Sequence, residues 1–186
     1  MGRKDVGVAL VVLLALALGW LLRTQVEGLT QTFEDSTSSF RMAYPATWAS
    51  IDALQDVLLK VEDPQAPSTF KTTLTVESRE LDLASPPTLQ ALVDRRIAQR
   101  ETLTGYHLLA NNEATVGGAR SAQIEYAYVV QPLDTPLRAS LPVVVRAREY
   151  IVVGSGHVYY LTLAAPENAF AEASQRFDAL LQTVQL

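Results

Sequence analysis

Cysteine is absent from this 186-residue sequence. That excludes disulfides, thiolate metal sites, a cysteine nucleophile and the lipid-bearing cysteine of bacterial lipoproteins. A chain of this length can build its core without such staples. Histidine is nearly absent, with two copies, too few for a histidine-based metal site. His107 opens one expected strand and His157 follows a glycine turn, so a shared site would need Asp or Glu ligands, and the plainer reading is two exposed or hydrogen-bonded rings. A basic patch is missing as well. Three of the 15 basic and one of the 20 acidic residues fall in residues 1–23, leaving a net −7 from residue 24 onward. Arg95, Arg96 and Arg100 form the densest basic group, and Asp94 and Glu101 flank it. Proteins that release counterions from phosphates usually concentrate positive charge, so nucleic acid is not expected as a partner.

One long uncharged run is present. Val6 to Leu22, "VGVALVVLLALALGWLL", carries no charged or strongly polar side chain. As a helix it would extend about 25 Å, the lower limit for crossing a hydrocarbon layer. Trp20 suits an interfacial anchor, Arg23 closes the run, and Arg3 and Lys4 precede it. The positive-inside bias then orients the N-terminus to the cytoplasm and the remainder outside. The competing reading is a cleaved signal peptide, because Ala15-Leu16-Ala17 has the small-x-small form of a cleavage site. That site lies within the apolar run, with three leucines and a tryptophan still to come, which favours a retained anchor. Both readings put the rest of the chain outside the cytoplasm, periplasmic or extracellular, and secreted if the segment is removed. Gly7 and Ala9 are small enough for close packing with another span.

Three parts are expected: an anchor over 1–23, a polar tether over 24–38 and a domain over 39–186. The tether is Ser/Thr-rich, and its Glu34 and Asp35 lack the spacing of a calcium loop. The domain opens with "FRMAYPATW" (40–48), where Phe40, Met42 and Tyr44 alternate with Arg41 and Ala43 as in a strand with one buried face. Pro45 cannot donate to a ladder and ends that strand, leaving Trp48 as an apolar plug over the end of the core. Further strands are expected at 57–63 and 70–81. In the latter, Phe70, Thr72, Leu74 and Val76 share one face, and Lys71, Thr73, Thr75 and Glu77 share a face open to water or loosely covered.

A helix follows over 85–105, capped by Ser85 or Thr88 and ended by Gly105, with Leu89, Leu92, Val93 and Ile97 as its buried stripe. Four strands come next, at 106–116, 119–131, 143–153 and 157–165. Gly117-Gly118 and Gly154-Ser155-Gly156 mark the tight turns of two hairpins. A last helix presents Phe170, Ala173, Phe177, Leu181 and Val184 on one stripe. The proline-bearing segment 131–142 reads as an extended surface connection, with a binding loop as the lesser alternative. This order of hairpins and two helices defines an α+β class.

No residue set carries a reaction, and no catalytic, cofactor-binding or metal residue is assigned. Ser155 lies two residues from His157, but in a strand-to-strand turn rather than at the strand-to-helix elbow of a hydrolase. Gly117-Gly118 precedes a strand and lacks the lysine of a phosphate loop. Glu62-Asp63 and Asp52 with Asp56 are carboxylate pairs whose pKa separation the sequence does not reveal. Tyr126, Tyr128, Tyr159 and Tyr160 could line a pocket, though tyrosines in a sheet are more often core.

Several features together resemble the PsbP/Mog1-like family, in its bacterial extracytoplasmic branch. They are Tyr44-Pro45 with Trp48, Val116-Gly117-Gly118-Ala119 before a tyrosine-bearing strand, Tyr159-Tyr160-Leu161-Thr162, and Phe177 through Leu181, over roughly residues 38–186. The resemblance implies an antiparallel sheet sandwiched by helices, a role in docking onto larger assemblies, and no catalytic residues. In place of an aromatic ending, this chain closes with Thr183-Val184-Gln185-Leu186. The expected function is a non-catalytic, membrane-anchored accessory subunit or interaction module. It would meet a membrane protein complex, such as a bioenergetic one, through its span and domain surface, and the bilayer through residues 6–22. The alternative is a ligand-binding or enzymatic domain using a pocket between sheet and helix, which a deep polar pocket would favour over a flat apolar patch.

Overall fold

The computed structural model describes residues 11–20, 28–51, 56–131 and 141–186. Residues 11–20 are helical and exposed. Among the described residues no helix is long and apolar enough to cross a membrane. The expected span begins and ends outside the described residues, as does most of the 131–142 connection.

Among the described residues, nine strands and two helices follow: β1 (Thr30–Glu34), β2 (Arg41–Pro45), β3 (Ala49–Ser50), β4 (Val57–Glu62), β5 (Thr73–Glu80), α1 (Leu89–Arg100), β6 (His107–Val116), β7 (Ala119–Val130), β8 (Val143–Gly154), β9 (His157–Pro166) and α2 (Glu167–Leu181). Seven strands form one sheet in the order β3-β4-β5-β9-β8-β7-β6, with every neighbouring pair antiparallel. β1 and β2 form a separate antiparallel hairpin.

The hairpin departs from the sequence reading. Residues 30–34 lie within the stretch expected as a tether, yet they pair with β2 from Thr30↔Pro45 to Glu34↔Arg41. Their polar composition gives no apolar alternation to read, and only Phe33 packs against the core. Asp35 closes the turn by accepting from the Ser38 amide at 2.9 Å and the Ser38 hydroxyl at 2.6 Å.

Two hydrophobic layers lie on opposite faces of the sheet. One is filled by Met42, Val61, Leu74, Val76, Tyr159, Leu161 and α2's Phe170 and Phe177. The other is filled by Ile124, Tyr126, Ala147, Ile151, Tyr160 and α1's Leu92 and Val93. Strands buried on both faces lose the simple apolar–polar alternation of a one-sided sheet. β9 shows it best, with every residue from Val158 to Pro166 buried.

Phe40 and Met42 are buried as their alternation predicts, and Trp48 half-buries against the same core. Its amide donates to the Pro45 carbonyl at 3.1 Å, so the chain turns directly after the proline. Phe70 differs from expectation. It precedes β5 and packs in the α1 layer rather than beside Leu74. The Ser68 hydroxyl accepts from the Phe70 amide at 3.3 Å, which makes this segment a turn instead of a strand.

Thr88 caps α1, its hydroxyl accepting from the Ala91 amide at 3.1 Å, in preference to Ser85. Gly117 and Gly118 take φ of 57° and 79°, the left-handed pair that a two-residue hairpin needs. Any Cβ at Gly117 would also come within 3.0 Å of the Val184 carbonyl oxygen. The C-terminal tail docks there, with Arg41 and Gln185 exchanging backbone hydrogen bonds at 3.0 and 2.9 Å. Val184 lies past the end of α2 and is still buried.

Candidate functional site

An open groove of about 810 Å³ lies on the α2 side of the molecule. Its floor is the α2 face that carries Ala169 and Ala173, whose small side chains leave room above the helix. One wall is the turn after β2, with Pro45 and Trp48. The other is the β4–β5 connection, with Pro67. Glu172 and Arg176 cross the rim as an i,i+4 pair at 2.6 Å. Asp63 is occupied locally, its carboxylate accepting from the Gln65 amide at 2.9 Å. A lining that mixes Trp48, prolines and alanines with Thr47, Asp63, Gln65 and Thr72 can hold a partner segment or a small molecule.

A second arrangement lies beneath α1. Arg96 is 3% exposed and Glu149 is fully buried, although both are charged. The Arg96 guanidinium donates to Glu149 through Nε, and to both Glu77 carboxylate oxygens at 3.0 and 2.7 Å. Arg100 Nε donates to Glu149 at 3.2 Å, and the Tyr126 hydroxyl donates to the same carboxylate at 3.2 Å. Arg96 also sits 4.3 Å above the Tyr160 ring. Two arginines therefore meet two glutamates, and the formal charge of the set is balanced. Buried ions of this kind require partners on most of their donor and acceptor atoms.

Burial alone would raise the Glu77 carboxyl. The Arg96 hydrogen bond and the charges of Arg96, Arg100 and Arg79 outweigh it and hold the group below the usual glutamate range. Burial, reinforced by the Glu149 charge, pushes the Tyr126 hydroxyl far up, so it remains a donor. A depressed carboxyl contributes stability that is complete above its unfolded value of about 4.3 and is lost as pH falls through the folded value. The urea midpoint should therefore decline as pH drops from about 5 downward, and Glu77→Gln should flatten that decline. An unchanged slope in the variant would remove Glu77 as its source.

On the opposite face Glu125 is also buried and is clasped by two arginines. Arg146 donates to one oxygen, and Arg148 to the other at 3.0 Å. Arg148 reaches Asp178 of α2 at 3.3 Å, and Arg146 lies 4.6 Å over Phe170. These contacts tie α2 to the sheet.

The candidates singled out by sequence do not converge. His107 begins β6 at the sheet edge. His157 begins β9, at the opposite end of the ladder and with β8 and β7 between them. His157 Nδ1 donates to the Ser155 carbonyl at 3.1 Å, and Ser155 holds a left-handed φ of 52° in a strand-to-strand turn. Asp52 lies outside the described residues, and Asp56 takes a left-handed φ of 73° just before β4. Among the described residues no three His, Asp or Glu side chains stand close enough to hold a metal ion.

The four tyrosines are divided by the sheet. Tyr126, Tyr128 and Tyr160 belong to the α1 layer, whereas Tyr159 stacks on Phe40 at 4.9 Å in the other. The face of Thr73, Thr75 and Glu77 is covered by the α1 layer, with Glu77 under Arg96. Sequence reasoning missed the Arg96–Glu149 pair. Its trace is Arg96 falling on the apolar stripe, four residues after Leu92 and three after Val93, and Glu149 sharing a strand face with Ala147 and Ile151.

No protein-family model matches the chain, and no curated protein matches it by sequence. Solved structures do. The solution structure of cyanobacterial PsbP (CyanoP) from Synechocystis sp. PCC 6803 aligns with a TM-score of 0.62 at 14% identity, covering 84% of this chain and 92% of that one. LpqN, involved in cell envelope biogenesis of Mycobacterium tuberculosis, aligns at 0.59 and 12% identity, covering 84% and 90%. PA94 from Pseudomonas aeruginosa, a protein of unknown function, aligns at 0.54 and 12%, covering 84% and 96%. Identities this low speak for architecture alone. The helix–sheet–helix sandwich, its strand order and these alignments agree that this chain has the PsbP/Mog1-like fold.

Proposed function

We propose that this protein is a non-catalytic, envelope-associated accessory domain, held at the membrane by residues 6–22 and docking its outer domain onto a membrane protein complex. The observation that carries the reading is the uncharged 17-residue run with basic residues at its head, set directly before a domain of this fold. The likeness to CyanoP and to LpqN, the latter involved in cell envelope biogenesis, supports an envelope setting. The groove beside Trp48 offers a docking surface. Thr30 lines it and lies seven residues beyond Arg23, so even a fully extended connection keeps that part of the groove within about 25 Å of Arg23.

A second reading, a ligand-binding domain, is favoured by the volume of the same groove. One experiment separates the two. The full-length protein is extracted from its native membranes in mild detergent and weighed intact by native mass spectrometry. The accessory reading expects a mass well above one chain, with other subunits present and residues 1–22 retained. A single chain carrying a small molecule would replace it with the ligand reading, and loss of residues 1–22 would remove the anchor.

A further inference from the structure

The two edges of the seven-stranded sheet are finished differently. One ends in β3, two residues laid on β4. The other is β6, ten residues long, bonded to β7 on one side. Near its start, Tyr106 donates to Leu103 at 3.1 Å and Val129 to Thr104 at 2.8 Å. Among the described residues no backbone group outside the β6–β7 ladder bonds to β6 itself.

Sheet edges are normally blunted by shortness, lysine, proline or a bulge that turns the strand away. β6 contains no proline, lysine or arginine. Its bulge is confined to Leu108–Ala110, and the pairing from Ala110 to Val116 is regular. Its one carboxylate, Glu113, is already paired with Arg120 of β7 at 2.7 Å. Leu108 and Leu109 are 36% and 45% exposed at the bulge. An open edge of this kind is a template for another strand.

We propose that β6 pairs antiparallel with β6 of a second copy of this chain, across a two-fold axis, joining two seven-stranded sheets into one. An isologous contact requires an edge complementary to itself, and antiparallel pairing of one strand with its copy meets that condition. Centring the axis on Asn112 sets each Asn112 opposite the second copy's Asn112, where amide side chains both donate and accept. It sets Asn111 opposite Glu113, so the two carboxylates are never directly opposed. Ala110 then faces Ala114 of the second copy. A strongly charged partner strand would find little to pair with here, because the net charge of −7 from residue 24 onward lies almost entirely elsewhere. The inference does not rest on the proposed docking role.

The test weighs the purified full chain in mild detergent by native mass spectrometry and sedimentation over a wide concentration range. The expected result is twice the 20.3 kDa chain mass. Asn111→Lys with Asn112→Lys, both exposed positions, should return the single-chain mass with an unchanged circular dichroism spectrum. The control pair Ala171→Lys and Gln175→Lys, on the exposed side of α2, should leave the dimer intact. A single-chain mass for the unmodified protein at every concentration would overturn the proposal. A dimer that survives the β6 lysines would do the same and would move the contact elsewhere, the apolar N-terminal run included.

Discussion

Replacing Glu149 with glutamine is expected to cost about 3–5 kcal/mol of stability, the range found when one member of a buried ion pair is removed. Glutamine keeps the volume and one carbonyl oxygen but turns the other acceptor into an NH2 donor, so the change removes the charge and one acceptor together. Arg96 and Arg100 would then share Glu77 alone, and a net positive charge would remain where Glu149 is fully buried. The Tyr126 hydroxyl would also lose a charged acceptor. Urea unfolding of the full chain, followed by circular dichroism, measures the loss. Adding Arg96→Met to Glu149→Gln should recover part of it, since the double change removes both charges and leaves an aliphatic chain over Tyr160. A loss below about 1 kcal/mol would mean that water reaches the cluster and that it behaves as a surface pair.

Truncating Phe177 to alanine is expected to cost about 3–5 kcal/mol, by lost transfer energy and by the cavity left behind. Phe177 is 1% exposed and meets Tyr150 edge-on at a centroid distance of 5.7 Å. It stands between Phe170 and Leu181 on the face with which α2 covers β8 and β9. The helix also forms the groove floor, so the variant should loosen that surface as it loses stability. Phe177→Leu should cost less, because it keeps most of the side-chain volume. The measurement compares both with Gln175→Ala on the exposed side of α2. Equal losses for Phe177→Ala and Gln175→Ala would show that α2 is not held by this stripe.

Most elements were legible because local patterns and global packing agree. The alternation of Phe40, Met42 and Tyr44, the glycine pair at 117–118 and the stripe of Phe170, Phe177 and Leu181 each appear where their spacing predicts. Pro45 and Trp48 do what their chemistry requires: the proline closes a strand, and the indole half-buries beyond it. The β1 strand was hidden, because its five residues are held by backbone pairing with β2 and show almost no apolar signal. Phe70 was misassigned because a hydroxyl-capped turn interrupts what looks like continuous alternation.

The candidate site was legible in part. Trp48 was recognised as a plug, but not as the wall of a groove whose other sides come from residues 63–67 and from α2. Those segments lie far apart in sequence, and a surface assembled from three of them leaves no local spacing to read. The arginines at 96 and 100 were legible only as members of a basic group flanked by acids, since a charge declares its sign in sequence and not its partner.

By itself, the sequence determined the α+β class, the order of seven of the nine described strands and of the helices α1 and α2, the tight turns and the presence of one uncharged run, because each depends on a few neighbouring residues. Only the tertiary structure decided which face each tyrosine joined, that Arg96 and Glu149 are buried together, and that β6 is an edge bonded on one side alone among the described residues. Those outcomes depend on which strands become neighbours, a consequence of long-range packing that no short window of sequence contains.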